Sequence, residues 1–224
     1  MKIVHESKVE LLDWMGDDLS VVNAARVSFH KESAYDAHDD NLLSEKDSKL
    51  IQYLARHGHW SPFAHTSVKF RIAAPIFVAR QLVKHQVGLV WNEVSRRYVD
   101  DEPSFYIPQE LRLKAANVKQ GSSDEIHPVN ESLVRRIIDS ADNDLHNYNV
   151  LLSEGVAPEQ ARMILPQNMM TEWIWTGSLY AFARVCRERL DPHAQKETRE
   201  VAEAIDKECE GLYPVSWNAL KGNR

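Results

Sequence analysis

Apolar positions along this chain repeat with two periods, and the switches between them outline its elements. Val9 to Trp14 reads as a short strand, closed by the turn-like Gly16-Asp17-Asp18. Asp18 is placed to cap a helix carrying Leu19, Val22, Ala25 and Arg26. Lys31 to Ser44 is polar and predicts a surface loop. Ser44 with Asp47 three residues on resembles a capping box, and Leu50, Ile51 and Leu54 form the buried side of the helix it starts. Thr66 to Ile72 alternates as a strand and leads into a helix from Pro75, where Ile76, Ala79 and Val83 recur at helical spacing.

Beyond Tyr98 the pattern weakens and then recovers. Asp100 to Pro108 reads as loop with Phe105-Tyr106-Ile107-Pro108 tucked in, and Gln109 to Pro128 as an exposed excursion. Asn130 is placed to cap a long helix with the stripe Leu133, Ile137, Ala141, Leu145, Tyr148 and Leu152, ended by Gly155. Pro158 starts a short helix that presents Arg162, and Pro166 stops it. Thr171, Trp173 and Trp175 alternate with Glu172, Ile174 and Thr176, which predicts a strand. Ser178 then caps a helix through Phe182, Val185 and Cys186 that carries Arg184, Arg187 and Arg189. Asp191 to Gln195 opens the last long helix, with Ala194, Val201, Ile205 and Cys209 on its buried side. Helix predominates over strand without regular alternation. The expectation is a helix-rich α/β or α+β domain spanning 1–224, built on a central mixed or antiparallel sheet, with no glycine-rich dinucleotide loop.

Two stretches carry candidate chemistry. Within Pro75–Tyr98, Gln81, Lys84 and His85 fall at i, i+3 and i+4 and project from one side of the expected helix. Asn92, Glu93, Ser95, Arg96 and Arg97 then crowd into a polar loop. Such a cation-rich helix end running into a loop with one carboxylate suits a phosphate and a polar base; the alternative is a solvated helix end and an ordinary loop. The second stretch is His57-Gly58-His59-Trp60-Ser61-Pro62-Phe63-Ala64-His65. Its histidines raise a metal site, but no cysteine lies near and the spacing matches neither a zinc finger nor a zincin helix. A structural or ligand-contact role is the expectation, with no metal.

Composition narrows the classes. The 224 residues carry a formal net charge of −6, which argues against broad nucleic-acid binding yet leaves room for a local cation cluster on a small anion. No apolar run approaches the ~20 residues of a membrane span, and Met1-Lys2-Ile3-Val4-His5 is expected to open no signal peptide. Cys186 and Cys209 make no disulfide framework. A cytoplasmic setting is expected, with no membrane or nucleic-acid partner.

Four blocks in order resemble the flavin-dependent thymidylate synthases. The central one is Lys84-His85-Gln86, a spacer Val87 to Val94, then Ser95-Arg96-Arg97-Tyr98, similar to the family's Arg-His-Arg…Ser…Arg-Tyr signature. It departs by Lys84 and Gln86 for the two arginines and by a spacer one residue longer. His57 to Phe63 resembles the family's His-Gly-His-x-Thr/Ser-Pro-Phe block. Ala161-Arg162-x-x-Leu165-Pro166 and Arg189-Leu190-Asp191-Pro192-His193-Ala194-Gln195 resemble its late motifs. With Met1-Lys2-Ile3 and Asn23-Ala24-Ala25-Arg26-Val27-Ser28, the similarity spans nearly the whole chain.

The resemblance implies the family's fold and the reductive methylation of dUMP to dTMP. Methylenetetrahydrofolate would give the carbon, and FAD would relay hydride from NADPH. It assigns catalysis to Arg189, a fixed cation that favours the N3-deprotonated ring, with no enzyme nucleophile. Gln81, Lys84, Glu93, Ser95, Arg96, Arg97 and Arg162 would line the dUMP site beside Arg189, with Arg97 and Arg162 suited to its phosphate. His59 would lie near the flavin ring. Ser61, Lys84, His85, Gln86, Glu93, Ser178, Tyr180 and Arg184 would hold FAD, with Ser178 and Tyr180 standing where some relatives carry Asn and Arg. Ser95 reads as a binding hydroxyl. A homotetramer with active sites shared between chains is implied. Outside the resemblance, the residues also admit a non-catalytic flavin- or nucleotide-binding protein, or a metal-dependent nucleotide hydrolase.

Overall fold

The computed structural model describes residues 1–35, 42–99, 101–115 and 122–222. In chain order the elements are β1 (Lys2–Val4), β2 (Lys8–Met15), α1 (Asp18–Arg26), α2 (Glu45–Arg56), β3 (Ser67–Pro75), α3 (Ile76–Leu82), β4 (Leu89–Glu93) and β5 (Ser104–Tyr106). There follow β6 (Arg112–Lys114), β7 (Ser122–Ile126), α4 (Asn130–Ser153), α5 (Pro158–Ala161), β8 (Met170–Ser178), α6 (Leu179–Arg189), α7 (Lys196–Leu212) and α8 (Pro214–Lys221). The main sheet has the order β2-β3-β8-β4, antiparallel at every step. A parallel pair β1-β5 and a small hairpin β6-β7 stand apart from it. The expected helix-rich fold with a central antiparallel sheet is the one observed.

Alternation along the strands decides which face is dry. Val68, Phe70, Ile72 and Ala74 of β3 are fully buried, as are Trp173 and Trp175 of β8 to within 1%. Phe182 of α6 sets its ring edge against Phe70 and Trp175, with both centroid distances 5.2 Å. Val185, Val201, Ile205 and Trp217 extend this core through α6, α7 and α8. Each such side chain removed from water contributes roughly 1.5–3 kcal/mol. The intervening strand positions carry Lys69 and Arg71, paired with Asp13, Glu10 and Glu172 on the solvent face. A second cluster packs Ala141, Leu145 and Tyr148 of α4 over Phe105 of β5.

Several boundaries differ from the sequence reading, each for a local reason. Asp17, not Asp18, caps α1, accepting from the Ser20 N–H at 2.8 Å. Asp18 is buried and accepts from Val215 and Ser216 N–H at 2.8 Å each, capping α8, a helix absent from the sequence reading. Ser44 and Ser178 cap α2 and α6 as expected. Asn130 is the first residue of α4, its amide bridging the Leu111 N–H and the Gln109 carbonyl. Gln195 precedes α7, so Ala194 lies outside that helix.

The central stretch changes most. Pro75 closes β3 in extended backbone and Ile76 opens α3, which ends at Leu82. Only Gln81 of the expected helical trio is on the helix; Lys84 and His85 occupy the following turn. Asn92 and Glu93, expected in a polar loop, instead end the edge strand β4 (Leu89–Glu93), with Trp91 opposite Trp175 and Glu93 opposite Trp173. Phe105 lies on a strand because Lys2–Val4 supplies its partner. Residues 36–41 of the expected loop Lys31–Ser44, residue 100, and residues 116–121 of the expected excursion Gln109–Pro128 lie outside the described residues.

Candidate active site

The turn after α3 folds back onto α6 and encloses a cavity of about 300 Å³. Its lining includes Lys84, His85, Gln86, Arg184, Glu188 and Arg189. Five candidates from two stretches far apart in sequence therefore meet in one place. Gly88 makes the turn possible: its φ is +77°, and a Cβ there would stand 3.1 Å from the Ala181 Cβ. Gly177 of β8 lets the turn lie flat, because a Cβ on it would come within 2.7 Å of the Gly88 carbonyl oxygen. Ser178 donates its N–H to that same carbonyl, while its hydroxyl oxygen accepts from the Ala181 N–H as the α6 cap.

Arg189, the last residue of α6, donates its Nε–H to His85 Nε2 at 2.9 Å. An imidazole that accepts there is neutral, with its proton on Nδ1. Burial holds the His85 pKa below its ordinary value, and the Arg189 and Arg184 cations push the same way. Glu188 opposes them from 3.9 Å but does not reverse the direction. Lys84, Arg184 and Arg189 thus concentrate positive charge in a chain of net charge −6. That is a setting for an anion.

A second cavity of about 930 Å³ opens beside β4 and β8, with Glu93, Arg96, Arg162, Ser104, Thr171 and Glu172 in its wall. Glu93 is held from two sides: Trp91 Nε1–H donates to Oε2 at 3.1 Å and the Thr171 hydroxyl donates to Oε1 at 2.7 Å. Arg96 pairs with Asp101 at 3.2 Å and also donates to its carbonyl. Arg162 begins a single 3-10 turn after α5 and is exposed at the cavity. The Ser95 hydroxyl oxygen accepts from the Arg97 Nε–H at 3.3 Å, and the exposed Arg97 guanidinium lies over the Tyr98 ring at 4.9 Å.

The histidine segment makes a third hollow, about 310 Å³, lined by Arg56, His59, Trp60, Tyr180 and Arg187 among others. Trp60 is 56% exposed, and its ring stands 6.2 Å from that of Tyr180. His57 is tilted against Tyr53, with centroids 4.3 Å apart, and His59 lies near parallel to the same ring at 6.1 Å. Among the described residues no group of three or more His, Cys, Asp and Glu side chains is placed to hold a metal ion. Ser61 is exposed at the start of a 3-10 turn, outside these cavities. Gln81 also lies outside them; its amide donates to Gln195, whose own amide donates to Glu197 at 3.0 Å.

The three hollows share no lining residue, so the candidates gather into separate groups within one chain. Sequence reasoning passed over Trp91, Thr171, Asp101 and Glu188, which hold or face the candidates. Trp91 was within reach of a reading, standing two residues before Glu93 on the same strand face. Cys186 and Cys209 are buried, and burial pushes both thiols up, away from the reactive thiolate form. No helix among the described residues is long and apolar enough to cross a membrane.

Comparison with known proteins agrees with the motif reading. The family profile Thy1, described as thymidylate synthase complementing protein, matches residues 10–215. A flavin-dependent thymidylate synthase from Kosmotoga olearia is 38% identical over 224 residues, covering 98% of this chain and 92% of the relative. One from Thermotoga neapolitana is 38% identical over 218 residues, covering 97% and 92%. The crystal structure of a UMP/dUMP methylase PolB from Streptomyces cacaoi bound with 5-Br dUMP superposes with a TM-score of 0.86 at 31% identity, covering 99% of this chain and 97% of that one.

Proposed function

The chain belongs to the flavin-dependent thymidylate synthases, and from that premise we propose that it converts dUMP to dTMP as one domain in a homotetramer. The carbon comes from 5,10-methylenetetrahydrofolate and the reducing equivalents from NADPH. The observation that carries this reading is the Arg189–His85 pair inside a cationic cavity shared with Lys84, Gln86 and Arg184.

The residues present fit FAD. Lys84 and Arg184 offer charge to its pyrophosphate, and the close packing of Gly88 on Gly177 and Ala181 holds the Lys84 turn against α6 where that charge gathers. Trp60 and Tyr180 offer flat apolar faces beside His59. When bound, FAD supplies the hydride that reduces the transferred carbon to a methyl group. Ser61, Gln86, Ser178 and Glu93 complete the set proposed to touch it.

Uracil C5 is a weak nucleophile, and this chain activates it by charge. Arg189 places a permanent cation where a ring deprotonated at N3 carries its negative charge, and His85 aims that guanidinium through Nε2. The ring gains electron density at C5 without a covalent bond to the enzyme. Arg97 and Arg162 take the nucleotide phosphate as forked donors, with Arg96 and Ser95 near them, and Gln81 is proposed to contact the same nucleotide. Glu93, an acceptor, takes a donor of the nucleotide.

The separation of the candidates into three hollows supports a site completed by a second copy, with the Glu93–Arg97 segment of one chain meeting Arg189 of another. Exposed Met15, Phe29, Tyr98 and Met163 provide apolar area for such contacts. The test is turnover: dUMP, methylenetetrahydrofolate, NADPH and FAD with the purified protein should give dTMP by chromatography. A yellow protein that binds dUMP yet forms no dTMP would instead be a non-catalytic binder. Release of phosphate or base only in the presence of a divalent metal would make it a hydrolase.

A further inference from the structure

Glu93 is an exposed carboxylate on an edge strand, yet it is fixed. Trp91 Nε1–H reaches Oε2 from two residues earlier on β4, and the Thr171 hydroxyl reaches Oε1 from β8. Trp91 is itself immobilised, with its ring stacked on Trp173 at 4.2 Å and 17° and set edgewise to Trp175 at 5.5 Å. Backbone pairing adds to this: Glu93 faces Trp173 in register, and the Val94 N–H donates to the Glu172 carbonyl at 2.9 Å. An unheld surface glutamate samples many rotamers, and binding a ligand would have to freeze them. Here the two donors and the indole stack freeze them beforehand. Each carboxylate oxygen keeps a second lone pair, and Glu93 stands in the wall of the 930 Å³ cavity with Arg96 and Arg162.

We infer that Trp91 and Thr171 are positioning residues which orient the Glu93 carboxylate to accept a hydrogen bond from a donor of the nucleotide. This rests on the reading of that cavity as part of the dUMP site. Both donors act through Glu93: Trp91 is not part of the cavity lining, and Thr171 stands in the wall with its hydroxyl proton given to Glu93 Oε1. A hydrogen bond to a charged group carries more weight than a neutral one, so losing either donor should loosen the acceptor measurably.

The experiment measures the dissociation constant of dUMP by calorimetry on the FAD-loaded enzyme. Thr171→Val keeps the shape and removes the hydroxyl, and Trp91→Phe keeps a stacked ring and removes the N–H. Each is expected to raise the Kd about tenfold, and Thr171→Ser to return it to within about twofold of the parent. In a Glu93→Ala background, Thr171→Val and Trp91→Phe should change the Kd by less than about twofold, because the group they act through is gone. A purely structural role would weaken binding equally in both backgrounds, and that result overturns the inference. So does an unchanged Kd for both single variants where Glu93→Ala alone weakens binding. If Glu93→Ala binds dUMP as tightly as the parent, the placement of this cavity in the dUMP site fails, and the inference fails with it. Should Trp91→Phe not fold, the Thr171 series decides by itself.

Discussion

The Nε–H of Arg189 and the Nε2 lone pair of His85, 2.9 Å apart, tie the end of α6 to the turn after α3. This one contact joins the two motifs on which the proposed chemistry depends. It also makes the orientation of a permanent cation depend on the protonation of a histidine.

Protonation of His85 removes the acceptor, so the contact should fail in acid. Burial first, then Arg189 and Arg184, lower its pKa from the ordinary 6.5. A base with a depressed folded value adds stability that is complete above 6.5 and is lost as pH falls through the folded value, since the unfolded chain then binds more protons. In the ligand-free enzyme, NMR of the His85 ring should show a midpoint below 6.5 and the Nδ1–H tautomer above it. Affinity for dUMP should fall over the same window. A midpoint at or above 6.5 would remove this coupling.

Arg189→Ala is expected to cut turnover by about 10²–10³-fold, the range for losing one preorganised charge donor. Cys186→Ala with Cys209→Ala should cost roughly 1–3 kcal/mol in the core yet leave turnover of the folded enzyme largely intact. Rate measurements with urea melts separate the two effects. A folded but inactive cysteine-free enzyme would return the thiolate route.

Gly88→Ala is expected to destabilise by about 1–2 kcal/mol, the cost of a left-handed backbone for a residue with a Cβ. The added methyl also presses on Ala181 at 3.1 Å. Because Lys84 to Gln86 hang on this turn, FAD affinity should fall more than that of Gly155→Ala, whose Cβ meets nothing within 4 Å. Equal FAD affinity in both variants would detach the turn from the cofactor.

Asp18→Ala should uncap α8, leaving the N–H groups of Val215 and Ser216 without their acceptor. A loss of about 2 kcal/mol is expected. Denaturant melts read it directly. Asp17→Ala, which uncaps only α1, serves as the comparison.

Arg97→Ala and Arg189→Ala should each be nearly inactive. Mixed tetramers made by co-expression should regain a fraction of the parent rate, since some shared sites then hold both arginines. A site confined to one chain cannot be repaired this way. Well-formed mixed tetramers without recovered turnover reject the shared site, and a monomer by light scattering rejects its premise.

Much of the framework follows from local rules visible in the sequence. Ser44 and Ser178 cap their helices, and Gly155 takes φ +82° just past the end of α4. Thr171 to Thr176 alternates because β8 is central, with one face on the Phe70–Phe182 core. These are short-range effects, decided by dihedral preference, capping and the two periods of side-chain direction. The motif residues were legible too, as a set of names without positions.

Tertiary pairing decided the rest. Leu89–Glu93 is too short and, with Asn92 and Glu93 at its end, lacks the alternation to declare itself a strand; it becomes one because the edge of β8 offers hydrogen bonds. Helix α3 stops at Leu82 because the turn must reach back to α6, which moves Lys84 and His85 off the face they would have shared with Gln81. Asp18, a cap by local rules, serves instead a helix at the other end of the chain. The clamp on Glu93 and the lone pair aimed at Arg189 arise only where distant segments meet. Composition and spacing thus determined which residues this protein could use, while long-range contacts, each closing a loop at an entropic cost local patterns cannot foresee, decided where they stand.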